Sequence, residues 1–221
     1  MSERAYSSDI AFTPTVKAVQ ERKDKHTAHA RFEARGGFHT AISDDLKSFI
    51  EAQISIYLAT SNAEGQPYIQ HRGGPPGFLH VLDDRTIAFV DFSGNRHFVS
   101  LGNLTDNPKA FMFLMDYEHR RRVKLWGEAR VIENDPALIG KLMPQGYKAR
   151  PEQVIVFTVA AWDVNCSKYI PQRFEAEDVA MALAARERKI EAMQAEIERL
   201  HEALEAKAYG VMPEPSSQSS S

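Results

Sequence analysis

A mainly β, α+β fold built on an antiparallel barrel is what this sequence predicts, on three observations. Seven short runs rich in β-branched and aromatic residues are separated by compact turn signals. Helical patterns fill only some of the gaps between them. The regular strand–helix alternation of a dinucleotide-binding fold, and its glycine fingerprint, are missing.

The elements follow in order. Residues 1–42 read as a charged N-terminal arm with one short helix, Thr15 to Arg22. Ser43-Asp44-Asp45 makes a helix N-cap before LKSFIEAQ, where Leu46, Phe49 and Ile50 share one face. Ile54 to Thr60 and Gln66 to His71 flank the turn Asn62-Ala63-Glu64-Gly65. Phe78 to Leu82 and Thr86 to Asp91 flank Asp83-Asp84. Ala110 to Asp116 and Arg122 to Ile132 form the next pair, and Gln153 to Asn165 closes the set as one long strand. Residues 43–174 are thus the barrel domain. Residues 175–208 change character: Ala176, Val179, Leu183, Ile190, Met193, Ile197, Leu200 and Leu204 fall at heptad positions, with Arg186 interrupting. That spacing suits a coiled-coil helix of about four heptads. A single amphipathic helix packed on its own barrel fits the pattern too. Residues 209–221, ending in PEPSSQSSS, read as a disordered tail.

Composition excludes several classes of function. With 221 residues, 43% of them hydrophobic, the chain can bury one good core. Lys and Arg number 27 against 30 Asp and Glu, so bulk nucleic-acid binding is not expected. Cys166 is the only cysteine, which rules out an intrachain disulfide and fits a reducing cytoplasm. No apolar run approaches the roughly 20 residues of a membrane span, and the N-terminus lacks a signal-peptide core. The expectation is a soluble cytoplasmic protein with neither a nucleic-acid nor a membrane partner.

The chemistry is concentrated in two loops. Arg72-Gly73-Gly74-Pro75-Pro76-Gly77 is a stiff loop led by an arginine, and guanidinium suits bidentate recognition of phosphate or carbonyl groups. From Ser93 to Asn103, Gly94 and Gly102 let the backbone approach an anion, while Ser93, Asn95, Arg96, Ser100 and Asn103 supply donors. HFVSLGNL within this stretch reads as a short helix whose N-terminal amides favour a phosphate. In the strand after Arg120-Arg121, alternation puts Arg122, Lys124 and Trp126 on one face, a cationic row able to cover a flat, electron-accepting ring. Each feature has a plainer reading, as a strand-ending loop, a surface turn or a solvated sheet face. The eight histidines show no metal-ligand spacing with cysteine or paired carboxylates, and no nucleophile–base arrangement is recognisable, so no metal site and no hydrolase is expected.

Taken together, "YLATSNAEGQPYIQHRGGPPGFLHVLDDRTIAFVDFSGNRHFVSLGNLTDNPKAFMFLMDY", "RRVKLWGEARVI" and "WDVNCSKYIPQRF" resemble the pyridoxamine 5′-phosphate oxidase-like FMN-binding split-barrel family. The nearest likeness is to a branch of flavin-nucleotide-binding proteins carrying QHRGGPPGF and paired Gly-Asn motifs, here Gly94-Asn95 and Gly102-Asn103. The resemblance spans most of Tyr6 to Phe174 and implies a six-stranded split barrel that forms a homodimer with FMN at the subunit interface. It implies that Arg72 and Gly73 approach the cofactor and that Phe92, Ser93, Gly94 and Asn95 pass along the flavin. By the same likeness Arg96, Ser100, Gly102 and Asn103 form the phosphate-side turn. Arg122, beside Trp126, falls where the oxidases place a flavin-contacting glutamine of the second subunit, and Arg173 lies in the segment that closes the site. Two departures stand out. The oxidases' terminal Arg-Leu-His motif is missing, which argues against pyridoxamine phosphate as substrate. Ser167-Lys168-Tyr169 also replace the branch's usual Pro-Gln-His, and His97 stands where glutamine is more usual.

The expected function is that of an FMN-dependent oxidoreductase, moving electrons from a reduced nicotinamide or a small-molecule substrate to oxygen or an organic acceptor. The flavin carries that chemistry, so no catalytic side chain is named. A cation at the flavin's N1–C2=O edge, Arg122 or Arg173, would favour the reduced form. Two other readings stay open: a non-catalytic binder of flavin, haem or deazaflavin, and an oligomerisation or adaptor protein acting through its C-terminal helix.

Overall fold

The structure, a computed structural model, describes residues 6–23, 31–165 and 167–210. Cys166, His26, His29 and the expected disordered tail from residue 211 onward lie outside the described residues. The chain divides into two compact units, Met1–Gln172 and Arg173–Ser221.

The first unit is one antiparallel sheet curled into a half-barrel, with strands β1 (Ser55–Ser61), β2 (Pro67–Gly73), β3 (Leu79–Val81), β4 (Thr86–Phe92), β5 (Lys109–Asp116), β6 (Arg121–Ile132) and β7 (Pro151–Asn165). They are ordered β2-β1-β5-β6-β7-β4-β3. Its helices are α1 (Pro14–Arg22), α2 (Asp44–Glu51), α3 (Val99–Asp106) and α4 (Pro136–Leu142), and α5 (Ala176–Tyr209) makes up the second unit. The seven runs of strand-forming residues all become strands, one more than the six the family likeness implied. The additional strand is the three-residue β3, kept in the sheet because Glu51 Oε1 accepts the Val81 amide at 3.2 Å and Thr86 O accepts the Leu82 amide at 2.8 Å.

Period-two alternation sets the faces. On β1, Ile56 and Leu58 are fully buried while Tyr57 looks outward; on β6, Val123 and Leu125 are buried while Arg122, Lys124 and Trp126 share the other face. The core gathers Ile56, Leu58, Phe89, Met112, Leu114, Leu125 and Phe157 beneath α2, whose Leu46, Phe49 and Ile50 plug one end. α2 begins where the sequence signals it, Ser43 Oγ accepting the Leu46 amide at 3.3 Å. β4 is buried on both faces, since Ala88 and Val90 pack with Leu142, Val154 and Val156 in a second cluster under α4. At Gly127 the β6–β7 register shifts, and a Cβ there would sit 2.1 Å from Thr158 O. The N-terminal arm is anchored rather than free: Phe12, Phe32 and Phe38 form an aromatic cluster, and Phe38 stacks on Trp126 at 4.7 Å.

Candidate functional site

Strands β2 and β4 are far apart in the sheet order, yet the curl brings their side chains together. Alternation along β2 turns Gln70 and Arg72 to the inner side of the sheet while Ile69 and His71 are exposed outward. Arg72 Nε lies 2.6 Å from Asp91 Oδ1 on β4, although not aligned as a hydrogen bond, and Nη2 donates to Oδ2 at 3.3 Å. Gln153 Nε2 of β7 donates to the same Oδ2 at 3.0 Å. The pair is 13% and 7% exposed at its side chains, so it is a buried ion pair that bridges the split of the half-barrel. Burial pushes the Asp91 carboxyl above its ordinary range, a push that Arg72 and Gln153 only partly offset and that Glu152 reinforces.

Beside this pair the chain leaves β4 and enters the Ser93–Phe98 loop, then α3. Arg96 and Phe98 both adopt left-handed backbone, at φ 57° and 53°. Non-glycine residues pay for that conformation, and such strain concentrates at functional sites. Phe98 is the N-cap of α3 and offers no side-chain cap, so among the described residues the first-turn amides of α3 have no side-chain cap. Arg96 stands over the Phe98 ring at 5.5 Å and 3.4 Å from Glu152. Asn95 Oδ1 accepts the His97 amide at 3.2 Å, shaping the turn. Ser100 Oγ bonds to Gln70 Oε1 at 3.2 Å, fixing α3 against β2. The result is a cleft lined by two arginines, each set against a carboxylate, Arg72 by Asp91 and Arg96 by Glu152, with the start of α3 beside them. The helix N-terminus and the more exposed Arg96 both favour negative charge there.

Six of the thirteen expected site residues line this cleft: Arg72, Phe92, Gly94, Asn95, Arg96 and Ser100. Others lie elsewhere. Asn103 is buried and donates to Thr60 Oγ1 at 3.0 Å, tying α3 to β1, and Gly102 lies within α3 itself. Ser93 donates its amide to Arg150 O at 2.9 Å. Gly73 packs tightly, a Cβ there meeting the His71 ring at 3.0 Å and Ile54 O at 3.2 Å. Arg122 and Trp126 are on the outer face of β6, and Arg173 belongs to the second unit. Arg122 Nε is buried with no hydrogen-bond partner among the described residues, and Lys124 Nζ lies 5.9 Å from the Trp126 ring centre. Sequence reading missed Gln70, Asp91, Phe98, Leu101, Glu152 and Gln153, which complete the lining. Asp91 carried a signal, a carboxylate inside the otherwise apolar strand TIAFVDF.

Within one chain this cleft has room for about 40 Å³. A larger hollow of about 790 Å³ opens beside Ile10, Arg85, Lys109, Trp126, Gly127 and Thr158. Size favours the hollow, but the helix end, the strained loop and the paired arginines are all at the smaller cleft. Among the described residues no cluster of His, Cys, Asp and Glu could hold a metal ion, and no helix is long and apolar enough to cross a membrane.

The pyridoxamine 5′-phosphate oxidase family profile matches residues 42–166. Among solved structures, HupZ of Group A Streptococcus is 22% identical with a TM-score of 0.45, the likeness covering 60% of this chain and 99% of that one. An FMN-binding protein from Syntrophomonas wolfei is 12% identical with a TM-score of 0.45, over 67% of this chain and 97% of that one. HutZ, the heme storage protein of Vibrio cholerae, is 16% identical with a TM-score of 0.37, over 56% and 93%. No curated protein matches the chain.

Proposed function

This chain belongs to the pyridoxamine 5′-phosphate oxidase family, and from that premise we propose that it binds FMN between two subunits and acts as an oxidoreductase. The observation that carries the reading is the meeting of Arg72, Arg96 and the uncapped α3 N-terminus at one cleft. The groups present fit a flavin nucleotide: the α3 amides and Arg96 would hold its phosphate, and Asp91 holds Arg72 in place beside them. The cleft in a single chain is far below the roughly 300–1,000 Å³ of a small-molecule pocket, which supports a second wall supplied by another subunit. In the dimer, Arg122 of the partner subunit would reach the ring.

When bound, FMN supplies the redox chemistry, taking up and releasing electrons between a reduced donor and an acceptor. The protein contributes binding, orientation and charge. Arginines at the phosphate cancel its charge, and a cation near the ring favours the reduced form. The test is the absorption spectrum of the purified protein before and after reduced nicotinamide is added. A flavin spectrum that bleaches, and returns in air or with a quinone, supports the proposal. A flavin spectrum indifferent to every donor would leave binding without turnover, a Soret band would identify haem, and a colourless protein that takes up no added FMN would refute the reading.

A further inference from the structure

We infer that α5 pairs with α5 of a second copy of this chain in an antiparallel coiled coil, in a register that sets Leu183 of one helix against Leu200 of the other. α5 is continuous over 34 residues, about 50 Å at 1.5 Å per residue. Its apolar seam is open to solvent: Leu183 is 54% exposed, Ile190 55%, Ile197 50% and Leu204 64%. A helix whose only apolar stripe faces water has little to hold it folded, because helices draw most of their stability from packing such a face.

The seam and its charges select both the occupant and the orientation. One set of core positions holds Leu183, Ile190, Ile197 and Leu204; the other holds Val179, Arg186, Met193 and Leu200. In a parallel pair each Arg186 would meet the other Arg186 in one layer. The flanking contacts would be Lys189 with Gln194 and Glu196 with His201, neither of them a lysine–carboxylate pair. Turned antiparallel, the layers become Val179 with Leu204, Leu183 with Leu200, Arg186 with Ile197 and Ile190 with Met193. Each apolar position from Val179 to Leu204 other than Ile197 then meets an apolar partner, and the two arginines lie in separate layers, each against an Ile197 rather than against each other. The flanking position of Lys189 falls beside Glu196 of the other helix, and two-fold symmetry makes that contact twice. Glu196 is already gripped by Arg199 of its own helix at 2.6 and 2.8 Å, so Lys189 of the other helix completes a three-membered ionic cluster. At the ends Ala182 meets Ala203, and the small side chains let the helices approach closely. A seam that complements itself in charge and shape in one orientation fits a second copy better than an unrelated partner.

The inference is independent of the flavin reading and is tested on the full-length chain. Leu183→Cys and Leu200→Cys are made separately, each together with Cys166→Ser, and carry tags of different size. Each is oxidised alone and then mixed with the other. A disulfide dimer formed only in the mixture is the expected result. Either variant cross-linking to itself while the mixture gains nothing would establish a parallel pair and overturn the proposal, and no cross-link in any sample would overturn self-association. Helix content by circular dichroism shows whether the variants are folded. As an independent check, Lys189→Glu is expected to weaken the mixed cross-link strongly, and Glu196→Lys added to it is expected to restore it. An antiparallel register other than this one would give no such rescue.

Discussion

Replacing Arg72 with alanine removes the cation that faces Asp91 across the split of the barrel. The side chains of the pair are 13% and 7% exposed, so the carboxylate left behind has little access to water. Breaking a buried pair by deleting one partner costs about 3–5 kcal/mol. For a unit of this size that is a fall in melting temperature on the order of 6–20 °C. The loss has a pH signature. Burial already raises the Asp91 pKa above its ordinary 3.8, so the folded chain binds this proton more tightly than the unfolded chain. Such a group penalises folding increasingly as pH rises through its folded pKa, and imposes nothing below the unfolded one. Without Arg72 the folded pKa climbs further. The deficit of Arg72→Ala should therefore be largest near pH 8 and shrink towards pH 4. Urea unfolding at both values measures it, and Arg72→Met with Asp91→Leu should recover most of the loss, because a packed apolar pair avoids the buried charge. Asp91→Asn separates structure from binding, since it spares the arginine and should retain FMN where Arg72→Ala does not. Wild-type stability for Arg72→Ala at pH 8, or a deficit independent of pH, would refute this reasoning.

Arg96 is 63% exposed at its side chain, so Arg96→Ala should leave folding within about 0.5 kcal/mol while weakening FMN retention by about 1.5–3 kcal/mol, and Asn95→Ala should act in the same direction. Equilibrium dialysis that finds unchanged FMN affinity in both would exclude this loop from the site. Gly127→Ala places a methyl 2.1 Å from Thr158 O and 2.9 Å from the Phe157 ring, and should cost about 3 kcal/mol in urea unfolding. An unchanged midpoint would mean that the β6 bulge is not held as described. Arg122→Gln should lower the midpoint potential of bound flavin and leave the melting temperature nearly unchanged. Spectroelectrochemistry that finds the wild-type potential would remove Arg122 from the ring.

The elements of the barrel were legible because each rule that forms them is local. Ser43 as N-cap, the alternation of Ile56 with Tyr57, and the outward row of Arg122, Lys124 and Trp126 all follow from sequence spacing. The glycine- and arginine-bearing stretches at Arg72 and at Gly94 to Ser100 stood out in the sequence, and the structure brings Arg72, Gly94, Asn95, Arg96 and Ser100 to one cleft. Asn103 was read as a donor to a ligand, and in the structure its side chain donates to Thr60, a partner 43 positions away that no local pattern announces. Trp126 was placed on its correct face, yet what covers it is Phe38 of the N-terminal arm.

By itself, then, the sequence determined the strands, their faces and the helix starts, because these depend on neighbours within a few residues. Tertiary structure alone decided that Arg72 faces Asp91 and Gln153, that Arg96 and the start of α3 line one cleft, and that this cleft holds only about 40 Å³ within one chain. Those are distances across the curl of a sheet, and curl comes from the summed twist of all its strands rather than from any one segment.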